Sequence, residues 1–206
     1  MRIWRVAAVA LALVLACAAC SSAANTGGSA NEPTTNATRP VNLVVMGSNL
    51  TLGNSLDDTL RDAWPRLLFD TLPPGSRFVN AATDPAPIVD ALHDQVPIVE
   101  EVRPDVTALV LGSDDVILET SVTTFRREFS TLIARVAAKS GRTLVGSIPA
   151  IGVLGSDAAP YNAVISDVAA MYHAQLVDLS PIRAQEADTP QHRSIAAAFE
   201  AALAHR

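Results

Sequence analysis

Cysteine is missing from the chain after residue 20: of 206 residues only Cys17 and Cys20 carry a thiol. A domain downstream of them has no internal disulfide, no thiolate nucleophile and no cysteine-based zinc site. Lysine is nearly absent too, with Lys139 alone. Fifteen Lys and Arg face 21 Asp and Glu, a formal net charge of −6, so there is no basic surplus to bind nucleic acid. Long apolar runs are lacking apart from Val6–Ala16, which is too short to span a bilayer comfortably. No His, Asp or Glu pair has convincing metal-ligand spacing, and nothing points to a cofactor. There is no internal repeat and no sign of a second folded domain.

The N-terminus has the form of an export signal. Arg2 and Arg5 precede the apolar run, and small residues and the two cysteines follow it. That ending resembles the lipobox of bacterial lipoproteins, in which a small residue precedes the cysteine that is lipidated. Cys17 and Cys20 both remain open as that cysteine, and an ordinary signal peptide cut at an Ala-x-Ala-like site is the alternative. Residues 21–40 are rich in Ser, Thr, Asn, Gly and Pro, a composition that cannot bury enough surface to fold, and are expected to form a disordered tether. The expected organisation is therefore a signal over 1–20, a tether over 21–40 and one domain over 41–206. The expected setting is outside the cytoplasm, held to the membrane by an N-terminal lipid.

From Val41 onward strands and helices alternate. Val41–Met46, Arg77–Ala81, Asp105–Gly112, Thr143–Ile148 and Ala174–Leu179 form five strand-like runs. Helical spacing covers Ser55–Leu72, Pro87–Val102, Thr123–Lys139, Tyr161–Tyr172 and a last segment to about Ala204. Ser55 with Asp58 has the form of a capping box. Pro97 should break or kink the second helix. Thr189 is the expected cap of the last, with Pro190 in its first position. Such alternation predicts a three-layer α/β/α sandwich around a five-stranded parallel sheet, flavodoxin-like, with its site in the loops at the strand C-termini.

Four of those loops, in order, carry motifs of one family. Gly47-Ser48-Asn49-Leu50-Thr51-Leu52-Gly53 resembles a Gly-Asp-Ser-Leu-Thr-x-Gly block. Val79-Asn80-Ala81-Ala82 resembles Asn-Ala-Gly, and Leu111-Gly112-Ser113-Asp114-Asp115 resembles Gly-x-Asn-Asp. Asp188-Thr189-Pro190-Gln191-His192 stands where an Asp-x-x-His-Pro block belongs. Together these are similar to the SGNH (GDSL-type) hydrolases. The resemblance implies a serine nucleophile after the first strand, a histidine base oriented by an aspartate, and an oxyanion held by backbone N–H groups and an asparagine amide.

This chain departs from that pattern at each point. Asn49 holds the nucleophile position. Ala82 and Asp114 hold the oxyanion positions, and Asp188 precedes His192 by four residues rather than three. An ionised Asp114 accepts but cannot donate. Two like charges about 4 Å apart repel by about 4 kcal/mol at an effective dielectric of about 20. His192 is expected in the first turn of the last helix, facing solvent as easily as the site, with a working base as the alternative to an exposed helix-start histidine. Ser48 is the outside candidate for a shifted nucleophile, with Ser55, in Gly53-Asn54-Ser55-Leu56, behind it. Asp114-Asp115 also admits a cation site as an alternative. The leading expectation is thus a catalytically inert, SGNH-like envelope lipoprotein with a binding or scaffold role, its ligand an acyl group or glycan. A divergent esterase acting on acyl groups of envelope lipids or glycans is the alternative. A flavodoxin-like domain unrelated to esterases is the third.

Overall fold

The computed structural model describes residues 39–152 and 157–204. The signal, Cys17, Cys20 and tether residues 21–38 lie outside them. Among the described residues no helix is long and apolar enough to cross a membrane.

Asn42–Gly47 (β1), Arg77–Asn80 (β2), Val106–Val110 (β3), Arg142–Gly146 (β4) and Gln175–Val177 (β6) form one sheet in the order β2-β1-β3-β4-β6. Every pairing is parallel. The fold is the expected α/β/α sandwich. The apolar runs of β1 and β3 are continuous rather than alternating because both faces of the sheet are covered. Alternate residues then serve opposite cores. Val44, Met46 and Leu109 join one, made with Ile88–Asp94 (α4), Val96–Val102 (α5), Val122–Ala137 (α7) and Ala159–Met171 (α8). Leu43, Val45 and Val110 join the other, made with Trp64–Asp70 (α3) and Thr189–Ala204 (α9). In the second core Trp64 stacks on Phe199 with ring centroids 4.7 Å apart.

From β1 the chain moves to one neighbour, β2, and then crosses to the other, β3. The C-terminal ends of β1 and β3 therefore flank the point where the winding reverses, where open α/β sheets place their crevice. Gly47 closes β1 because Asn49–Leu52 (α1) folds straight back over the strand end, and a Cβ at Gly47 would overlap the Thr51 side chain.

Several elements differ from expectation. The helix predicted over Ser55–Leu72 is a turn followed by Thr59–Asp62 (α2) and α3. Ser55 caps nothing. Asp58 is the cap, its carboxylate accepting from the Arg61 N–H at 3.1 Å, and Leu60 is left 86% exposed. Pro65 explains the break: it has no N–H to donate back, and Ala63 adopts an extended conformation before α3. Pro97 divides α4 from α5 as expected, at Gln95. Ser113–Ile117 (α6) was expected as a loop. Ala150–Ile151 (β5) and Arg183–Ala184 (β7) add a two-stranded parallel sheet too short to leave a periodic signal. The last helix starts at Thr189 itself.

Candidate active site

The end of β1 is held from two sides. Gln95, fully buried at the α4–α5 break, accepts from the Gly47 N–H at 2.9 Å. Its amide donates to the Gly47 carbonyl at 2.8 Å and to Thr83 Oγ1 at 3.0 Å. This clamp fixes the strand end and the loop after β2 together. Ser48 follows, 2% exposed, with its hydroxyl donating to the Asp114 carboxylate. Asn49 is the first exposed residue of the loop, and its amide reaches Asp84 Oδ2 at 3.3 Å. Asn54 donates to the same oxygen at 2.9 Å.

In the loop after β2, the Ala82 N–H donates to Asn80 Oδ1 at 3.1 Å. This is an Asx turn, so the N–H expected for an oxyanion is already used. After β3, Gly112 takes φ +109°, a conformation that favours glycine, and turns the chain into α6. Asp114 Oδ2 accepts from Ser48 and from the Ala86 N–H at 2.8 Å. Asp115 is 1% exposed and accepts from the Ile88 N–H at 3.0 Å. Burial pushes its carboxyl up to about 6, and the Ile88 N–H opposes that rise.

A cavity of about 300 Å³ opens between these loops. Leu50, Val110, Ile117, Ile148, Pro149 and Ile151 are its apolar lining. Ser48, Asn49, Ser55, Ser113, Asp114 and Glu186 are its polar lining. Asn49 and Asp114 thus meet in one cavity. Asp188 and His192 do not line it. The Ser55 hydroxyl donates to the Ala187 carbonyl and fastens the last loop to the first, which puts Glu186 and Ala187 at the cavity.

His192 faces neither solvent nor the cavity, contrary to expectation. Its side chain is fully buried, and the Trp64 N–H donates to its Nδ1 at 3.1 Å. An accepting Nδ1 carries no proton, so the ring is neutral. Burial lowers His192 to about 4, against a smaller raising effect of Asp188. Its Nε2 has no hydrogen-bond partner among the described residues. The physical reason is capping. The first N–H groups of a helix lack intrahelical partners, and Ala63 before α3 offers no side-chain acceptor. His192 supplies one from α9. His93 and His173 are exposed and far from this role.

The GDSL-like Lipase/Acylhydrolase family model matches residues 45–198. The chain belongs to this family. Comparison with curated proteins gives no match. Solved structures share the fold at low identity. An alpha/beta hydrolase enzyme from the metagenome of Lake Arreo, Spain, is 19% identical with TM-score 0.66, over 80% of this chain and 95% of that one. An acetylxylan esterase from Geobacillus stearothermophilus is 14% identical with TM-score 0.67, over 81% and 95%. A lipase/acylhydrolase from Enterococcus faecalis is 18% identical with TM-score 0.65, over 79% and 95%.

From the last block and the residues just before it, the cavity takes Glu186 and Ala187 and neither Asp188 nor His192. Glu186, Thr189 and Pro190 keep the Asp-x-x-His-Pro spacing, and it is Glu186, not Asp188, that lines the cavity. His192 lies three residues beyond Thr189, close to one helical turn, and is turned into the core.

Proposed function

We propose that this chain is an exported envelope lipoprotein whose GDSL-like domain binds a ligand and does not turn it over. One observation carries the reading: the nucleophile position is Asn49, with its amide on Asp84, and no histidine lines the cavity among the described residues. A carboxamide has no hydroxyl to become an alkoxide, and its nitrogen lone pair is delocalised into the carbonyl. The oxyanion positions support the same reading. Asp114 presents a carboxylate where a donor is needed, and the Ala82 N–H is engaged by Asn80. Lipid anchoring rests on the short apolar run ending at Cys17 and Cys20 and the polar segment after it.

A second reading, a divergent esterase, has one observation in its favour: Ser48 lines the cavity with its hydroxyl on a carboxylate. A fluorophosphonate probe separates the two. The binding reading requires no labelling, and covalent labelling lost in Ser48→Ala would establish the esterase. Anchoring is tested by fractionation. Release of a Cys17→Ala, Cys20→Ala variant from membranes that retain the parent supports it, and equal retention contradicts it.

A further inference from the structure

Asp114 and Asp115 are consecutive in α6, and one strap of chain after β2 holds both. Asp114 accepts the Ala86 N–H at 2.8 Å, and Asp115 accepts the Ile88 N–H, two residues further along, at 3.0 Å. The same strap is tied to the first loop through Asp84, which takes the amides of Asn49 and Asn54. Neither carboxylate of α6 can turn from the other without giving up its N–H, so two like charges are held at close quarters. Their surroundings differ. Asp114 lines the cavity, and Asp115 is buried. The other charge acting on Asp115, Glu128 of α7, has the same sign; Tyr161 of α8 feels Asp115 in turn, and α4 brings the Ile88 N–H. Thr120 bonds Asp115 as well. A hydroxyl donates to a carboxylate and accepts from a carboxylic acid, so Asp115 has a partner in either protonation state.

Where the cavity is open to solvent, water screens Asp114 from Asp115. A ligand that displaces this water lowers the local dielectric and strengthens the repulsion between them. One proton from solvent relieves it, and the buried member of the pair is the one whose neutral form burial favours. Resting on the reading of the cavity as a binding site, we propose that filling it with an uncharged, water-displacing ligand drives proton uptake at Asp115, so that the ligand is held more tightly in mildly acidic surroundings. Linkage makes the effect reciprocal: a proton on Asp115 raises affinity by the factor by which the ligand raises proton affinity. Burial pushes Asp115 up to about 6, which sets the window in which the coupling is read.

The probe is 1-octanol, uncharged and apolar, titrated calorimetrically into the protein in buffers of different ionisation enthalpy, which reports the protons taken up. Net uptake is expected near the middle of the window, and affinity should rise about fivefold from about pH 7.5 to about pH 5, the low end of ordinary coupling between sites. Asp115→Asn keeps a carbonyl oxygen for the Ile88 N–H and has no charge to repel Asp114. It should bind at the higher pH as tightly as the parent does at the lower, with no dependence on pH. A merely structural Asp115 predicts the reverse, weaker binding in the variant with the parent's pH profile. No proton uptake, or a pH dependence that survives in Asp115→Asn because Asp114 or Glu186 titrates instead, would overturn the proposal. Failure of 1-octanol to bind at either pH would overturn the coupling and the binding reading together. Fluorophosphonate labelling with the coupling intact would overturn only the inertness in that reading.

Discussion

Helix α3, on one face of the sheet, and helix α4, on the other, both begin without a capping side chain of their own: Ala63 precedes one and Pro87 the other. In each case a buried titratable group from a distant element accepts the first N–H. His192 of α9 does so for Trp64 and Asp115 of α6 for Ile88. The two caps are alike in geometry and opposite in electrostatics. Burial favours the neutral form of both, which lowers the histidine to about 4 and raises the aspartate to about 6. Residues of the types that do chemistry in this family are thus occupied in fastening helices, on opposite sides of the sheet and outside the cavity lining.

The largest test of that comparison removes the histidine. His192→Ala leaves a void between α3 and α9 and orphans the Trp64 N–H. A loss of about 3 kcal/mol is expected in urea unfolding, with little change in ligand binding at the cavity. Loss of binding with unchanged stability would mean that His192 belongs to the site.

The pH dependence comes next, and its signs oppose. His192 is lower in the fold than in the unfolded chain, so as pH falls from about 6.5 towards 4 the unfolded state gains a proton the fold refuses, and stability is lost. Asp115 is higher in the fold, so as pH falls from about 6 towards 3.8 the fold takes up its proton first, and stability is gained. Each effect is on the order of 3 kcal/mol at 1.36 kcal/mol per pKa unit, so between pH 6 and 4 these two contributions offset one another. Asp115→Asn should expose the histidine term as a steep acid destabilisation, and His192→Gln the aspartate term as a gain. Parallel pH profiles for the two variants would break the comparison.

Gln95→Ala gives a smaller loss, about 2 kcal/mol, because two polar groups of Gly47 lose their partners. Faster amide exchange at Gly47 and Thr83 should accompany it, whereas unchanged exchange would remove the clamp from the account. Smallest is Asp58→Ala. Losing the α2 cap should cost about 1 kcal/mol; Ser55→Ala, if it costs less in helix stability, separates the observed cap from the expected one.

Much of the sheet was legible because continuous apolar runs such as Val41–Met46 and Asp105–Gly112 have few other homes in a domain with alternating helices. The four loops were legible because a motif at a strand end has a fixed place. What escaped was non-local. Nothing near His192 reveals that an N–H 128 positions away will need an acceptor. Asp115 sits beside Asp114 in the same block, yet the two serve different partners, Ile88 and the Ser48–Ala86 pair. Gln95 lay inside an apparently helical stretch. Asp188 and His192 were singled out because their residue types match the block, and residue type alone could not show that neither lines the cavity. Ser55 was assigned to a helix cap by local spacing, and its partner proved to be Ala187.

The central claim is that the cavity holds a ligand without hydrolysing it, and turnover of p-nitrophenyl butyrate by the purified, unmodified domain tests it most directly. The account predicts no hydrolysis above buffer, and none regained in Asn49→Ser, since among the described residues no imidazole lines the cavity to activate the new hydroxyl and triad members act as a unit. Measurable kcat/KM in the parent, abolished by Ser48→Ala, would contradict it and make Ser48 the nucleophile.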